Sequence, residues 1–150
     1  MKFTLSWLKQ YLNTQAPSKA TTEDIIAKLT ALGLEVDGIE NKAEIYAPFK
    51  VAKVKSAEKH PDADRLRVCQ VETEDGMIQV VCGAPNARAG MTAIFAPVGS
   101  YIPGLDVTLE KGKIRGQESC GMLVSEREMC ISDEHNGIID LDDKHEIGTP

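Results

Sequence analysis

Between residues 65 and 83 the chain reads RLRVCQVETEDGMIQVVCG. Two runs rich in valine flank Glu74, Asp75 and Gly76, and such a pattern closes readily only as a β-hairpin. The same texture extends from about residue 39 onward. PFKVAKVKSAEK, MTAIFAPV, DVTLEKGKI, CGMLVS and GIIDL are further short apolar runs. CGAPNARAGM and SYIPGLD separate them with Gly, Pro and Asn, which punctuate loops. Short strands at regular spacing predict a barrel or a sandwich. Their alternation is imperfect, as it is where a small coiled barrel carries bulges. The fold class expected is mainly β.

The first 38 residues differ. SWLKQYL predicts a short helix capped by Ser6, with Trp7, Leu8, Tyr11 and Leu12 on one side. NTQAPSKATT reads as a polar loop. Thr21 or Thr22 starts a second helix, with Glu23 and Asp24 in the first turn, where the helix dipole favours acids. Ile25, Ile26, Leu29 and Leu32 form its apolar stripe, and Gly33 ends it. LEVDGIE reads as a short strand with a turn. This α/β segment of two short helices cannot build a core alone, so it must dock on something.

Charge and cysteine limit the chemistry. The net charge is −6, which by itself weighs against nucleic acid. Its distribution says more. Residues 50–67 hold Lys50, Lys53, Lys55, Lys59, Arg65 and Arg67 against three acids, and KGKIR at 111–115 adds three bases. The last 35 residues hold nine acids against two bases. A basic stripe on an acidic body and lysines that merely solvate strand faces both fit this pattern. The four cysteines, at 69, 82, 120 and 130, lack the close spacing of a zinc knuckle; Cys69, Cys82 and Cys120 lie in apolar runs, and reduced core thiols are the plain reading. No apolar run approaches the roughly 20 residues of a spanning helix, and MKFTLSWLKQYL does not read as a signal peptide. A cytoplasmic protein is expected.

HPDAD, at 60–64, offers His60, Asp62 and Asp64 as donors, but nothing elsewhere completes a metal set. A Pro–Asp turn that aims the next strand explains it better. Phosphate-loop, HExxH and GxSxG patterns are absent, and SAEK at 56–59 lacks the companions of an SxxK nucleophile. No catalytic and no metal residues are assigned. A small barrel with a basic strand pair fits single-stranded nucleic acid better than catalysis. Its few aromatics limit base stacking.

HPDADRLRVCQV, VVCGAPNARAGM and KIRGQESCGMLVSEREM together resemble the tRNA-binding OB-fold domain of several aminoacyl-tRNA synthetases and stand-alone tRNA-binding proteins. The order and spacing hold over roughly residues 40–148. MKFTLSWLKQYL and LTALGLEVDGIE are similar to the N-terminus of the bacterial phenylalanine–tRNA ligase beta subunit family. The resemblance implies a five-stranded OB-fold barrel at 39–148, behind a helical segment at 1–38 that later chain completes. Residues 149–150 would begin a truncated remainder. It implies a parent enzyme that joins phenylalanine to tRNA with ATP and magnesium, in a heterotetramer with an alpha subunit. The fragment itself would hold no cofactor and catalyse nothing.

By motif, the resemblance points to Asn86 and Arg88 in CGAPNARAG, and to Lys113, Arg115, Ser119, Met122 and Ser125 in KIRGQESCGMLVS, as tRNA contacts. Lys53, Lys55 and Arg67 of the basic stripe join them. Lysine and arginine suit phosphates; Asn86 and Ser119 suit sugar or base edges. Glycine turns and packing are the competing roles, and Met122 suits the core equally well. Two other functions stay open: a structural module for subunit assembly, and a complete, stand-alone tRNA-binding chaperone-like protein. Exposed apolar residues of segment 1–38 would favour self-association.

Overall fold

The computed structural model describes residues 2–11 and 20–150. The chain divides into two units, Met1–Glu40 and Asn41–Pro150.

In the first unit, α1 (Leu5–Tyr11) and α2 (Thr22–Ala31) form where periodicity places them. The α1 cap is Thr4 rather than Ser6: Trp7 N–H donates to Thr4 Oγ1 at 3.1 Å. Leu12 lies outside the described residues. At α2, Thr21 and Asp24 form a reciprocal capping box, each side chain accepting the other's backbone N–H. Gly33 adopts φ +83°, and Leu34 N–H returns to the Leu29 carbonyl, closing the helix. The strand expected in LEVDGIE is absent; residues 34–40 make no ladder. Neither helix has a buried residue, and Trp7 is 50% exposed.

The second unit opens with α3 (Lys42–Tyr46), a helix the β-like texture concealed. Asn41 caps it, and the Tyr46 hydroxyl donates to the Met129 carbonyl at 2.6 Å. The strands β1 (Lys50–His60), β2 (Ala63–Thr73), β3 (Gly76–Cys82) and β4 (Thr92–Pro97) follow. β5 (Tyr101–Ile102) and β6 (Val107–Thr108) form one ribbon; β7 (Gly112–Ile114) and β8 (Gln117–Ser119) form another. Thus DVTLEKGKI is split between two ribbons rather than being one strand. β9 (Gly121–Leu123) and β10 (Asp140–Leu141) complete the main sheet, in the order β10-β4-β1-β2-β3, with β9 on β4.

β1 gives this sheet its curl. Its first half pairs with β4 and its second half with β2, both antiparallel. A register shift between Val54 and Ser56 leaves Lys55 as the extra residue, and such a bulge bends and twists a strand. The curl encloses Ala52, Val54, Cys69, Val71, Val80, Met91, Ala93, Phe95 and Leu123. A second cluster, with Phe49, Ile102, Val124 and Met129, includes half-buried Met122.

The mainly β, OB-like architecture expected is present, and the sheet does not close into a full barrel. No ladder joins β3 to β9 among the described residues. Cys120 N–H to the Gln79 carbonyl (3.0 Å) and Val81 N–H to Ser119 Oγ (3.1 Å) span that seam instead. Gly121 sits at φ +146°, where a Cβ would collide with the Phe95 ring. At the other end of the chain, Val51 N–H donates to the Thr149 carbonyl at 2.8 Å, so residue 149 bonds within this unit.

Candidate nucleic-acid interface

The turn between β1 and β2 is the hub. Pro61 and Asp62 occupy it, between paired His60 and Ala63. His60 is 2% exposed and uses both ring nitrogens. Asp62 N–H can only donate, so Nδ1 accepts at 3.0 Å. The Ile114 carbonyl can only accept, so Nε2 donates at 3.1 Å. The turn backbone is thus bonded by the histidine side chain, and Asp64 pairs with Lys59 at 2.6 Å. That contact with Lys59 holds the Asp64 carboxyl below its ordinary range.

Ile114 lies between Lys113 and Arg115, so His60 fastens the β7–β8 ribbon to the outer end of β1–β2. At the ribbon tip, Arg115 (φ +47°) and Gly116 (φ +87°) are both left-handed, as a tight two-residue hairpin requires. Lys113 and Arg115 are exposed, and neither has a carboxylate within 4 Å among the described residues.

Arg65 and Arg67 lie on the same end of β2, also without such a partner. With Lys59, Asp64, Leu66, Gly83, Ala84 and Pro85 they line an open groove of about 530 Å³. Besides Lys59, which Asp64 engages, four cations (Arg65, Arg67, Lys113 and Arg115) therefore gather around the turn that His60 organises. HPDADRLR carried the signal for this, but its histidine is a clasp rather than a ligand.

The other expected contacts sit differently. Lys53 pairs with Asp143 at 3.5 Å, Lys55 with Glu72 at 2.8 Å and Arg88 with Asp140 at 2.7 Å. The Thr92 hydroxyl and then Lys53 hold the Asp143 carboxyl below its ordinary range. Asn86 is a splint: its Nδ2 donates to the Ile138 carbonyl (2.8 Å) and its Oδ1 accepts Ile138 N–H (3.0 Å). Ser119 Oγ is buried, accepting from Val81 N–H and donating to the Gly121 carbonyl. Ser125 caps the turn at 126–130 through Glu128, and Met122 packs on the second cluster. The acidic tail supplies two of these ion-pair partners, Asp140 and Asp143. Contacts so distant in sequence leave no local spacing to read.

Over residues 49–150 the chain matches the family described as "Putative tRNA binding domain". It belongs to that family. It is 61% identical over 141 residues to the phenylalanine–tRNA ligase beta subunit of Ruegeria pomeroyi, covering 94% of this chain and 17% of the relative. The beta subunit of Mesorhizobium japonicum is 57% identical over 151 residues, covering 99% and 18%. The chain thus spans under a fifth of the length of these curated relatives. A methionyl-tRNA synthetase-related protein from Pyrococcus horikoshii has the same fold. Its TM-score is 0.53 at 23% identity, over 75% of this chain and 96% of that one.

For a member of the tRNA-binding family the electrostatics are selective. Five of the basic side chains of the second unit are neutralised by a carboxylate neighbour, so its usable positive field is local. No helix among the described residues is long and apolar enough to cross a membrane.

Proposed function

We propose that the chain is a tRNA-binding module of a phenylalanine–tRNA ligase beta subunit. It would dock tRNA phosphates at the end of the sheet where Arg65, Arg67, Lys113 and Arg115 meet. The observation that carries this is the His60–Ile114 bond, which brings the β7–β8 ribbon to the Lys59–Arg67 end of β1–β2. Each phosphate met by an arginine or lysine releases condensed counterions, so binding falls steeply with salt.

In this reading Arg67, Lys113 and Arg115 touch RNA directly. Lys53, Lys55 and Arg88 contribute less, because a phosphate must displace Asp143, Glu72 or Asp140. Asn86, Ser119, Ser125 and Met122 hold the shape of the site. The parent enzyme would attach phenylalanine to tRNA with ATP and magnesium in the cytoplasm, beside an alpha subunit. This module would supply binding and no reacting group.

The three ion pairs and the net charge of −6 favour a second reading, a structural module for subunit assembly that meets no RNA. Titration with tRNA at low and moderate salt separates the two. The tRNA-binding reading expects affinity that drops in the Lys113→Ala/Arg115→Ala double variant, with a shallower salt slope. Absence of binding even at low salt would leave only the assembly reading.

A further inference from the structure

The groove beside the hub has more chemistry than phosphate contact needs. Arg65 and Arg67 stand two residues apart on β2, so both side chains leave the same face of the strand. Cys69 and Val71 continue that face into the core. The two guanidinium groups therefore project from the end of the interior, over the mouth of the sheet. Asp64, the carboxylate among the lining residues, is engaged by Lys59.

The facing wall is of the opposite character. Gly83, Ala84 and Pro85 carry no charge, and half-buried Leu66 adds apolar lining. A Cβ added at Gly83 would lie 3.4 Å from Leu66 Cδ2, an ordinary van der Waals contact, so this loop runs beside that leucine. A volume of about 530 Å³ lies in the range of small-ligand sites. One wall thus offers planar bidentate donors, and the other offers a small apolar shelf.

We infer that this groove seats an unpaired RNA nucleotide, its phosphodiester between Arg65 and Arg67 and its ribose and base against Leu66, Ala84 and Pro85. The inference rests on the tRNA-binding reading and names the part of the RNA this site takes. Arginine pairs with phosphate through two parallel N–H donors, which fixes the backbone. A duplex keeps its bases stacked and shows proteins its backbone and shallow minor groove. It would satisfy the arginines but leave the shelf empty. No aromatic ring lines the groove, so binding is modest and tolerant of sequence.

Fluorescence anisotropy on the full chain tests this with two RNA probes at roughly 50 and 200 mM salt. One is an oligouridylate of about six nucleotides, within the site size of a single OB fold. The other is a blunt duplex of similar charge. The single strand should bind more tightly than the duplex. Arg65→Ala/Arg67→Ala should weaken it about tenfold or more and flatten its salt slope by roughly 0.7, the value for the one single-strand phosphate the two arginines share. Arg65→Lys/Arg67→Lys should keep most of that slope. Ala84→Glu, which leaves both arginines in place, should weaken the single strand as strongly; melting curves confirm that each variant is folded.

Equal binding of duplex and single strand, or unchanged binding in folded Arg65→Ala/Arg67→Ala protein, overturns the inference. If tRNA binds through Lys113 and Arg115 while the oligouridylate does not bind, the inference fails and the broader reading survives. If the oligouridylate binds through the arginines and tRNA does not bind, the broader reading fails and the groove's chemistry stands.

Discussion

The buried ring of His60 donates from Nε2 to the carbonyl of Ile114 at 3.1 Å, across 54 positions of sequence. Its Nδ1 accepts the backbone N–H of Asp62 at 3.0 Å. One side chain thus closes the β1–β2 turn and anchors the ribbon that carries Lys113 and Arg115. Both flanking peptide groups hold the ring in a single tautomer.

Replacing His60 with alanine removes both bonds and leaves the Asp62 N–H without its partner. A cost of about 1–3 kcal/mol in unfolding free energy is expected. Amide exchange should quicken across residues 112–119 more than in β4. tRNA affinity should fall although no charge contacting RNA has been removed. Unchanged exchange in the ribbon would show that other contacts hold it.

Arg115 occupies a left-handed turn position, which disfavours arginine and suits asparagine. Arg115→Asn should therefore leave stability unchanged or raise it by up to about 1 kcal/mol, while lowering tRNA affinity. Chemical denaturation and tRNA titration on the same variant check the two halves separately. A loss of stability together with unchanged affinity would contradict both.

Asn86 spends both ends of its amide on Ile138, and a Cβ at Gly137 would collide with it. Asn86→Ala leaves two backbone groups unpaired and should cost about 2–4 kcal/mol. Asn86→Asp should also destabilise, because a carboxylate would face the Ile138 carbonyl. Urea unfolding measures both. If Asn86→Ala kept wild-type stability but lost tRNA binding, Asn86 would be a direct contact instead.

Burial pushes the Cys69 thiol up to about 11 from its ordinary 9.0 and raises Cys82 as well. A raised thiol value means the neutral form is favoured in the folded state. The stabilisation is full below pH 9, where the unfolded thiol is also protonated, and is lost as pH rises through about 11. At neutral pH a thiol reagent should modify exposed Cys130 quickly and Cys69 only on unfolding. Mass spectrometry of partially labelled protein reads the order, and early labelling of Cys69 would contradict its burial.

Much of the fold was legible because its signals are local. Glu74, Asp75 and Gly76 mark the β2–β3 hairpin, and Thr21 with Asp24 marks the start of α2. The missing pieces depend on partners far along the chain. α3 is short, and the Tyr46–Met129 bond that fastens it is invisible to periodicity. LEVDGIE has strand-like residues but no neighbour to pair with, and a strand exists only through its ladder.

The site was legible in part for the same reason. Side-chain type identified Arg67, Lys113 and Arg115 as cations, but only tertiary structure tells which cations are already spent. Lys53 meets Asp143 across 90 positions, and Arg88 meets Asp140 across 52. His60 was visible as an unusual residue. Its role depends on a carbonyl from a ribbon that no spacing rule connects to it.

The most direct test is an NMR titration of the amide-labelled chain with tRNA at low salt. The largest shifts should fall on the amides of Lys59–Arg67 other than Pro61, of Gly83 and Ala84, and of Lys113–Arg115, and added salt should reverse them. Shifts centred instead on the β5–β6 ribbon, or none at all, would contradict a tRNA interface at the end of the sheet that His60 holds together.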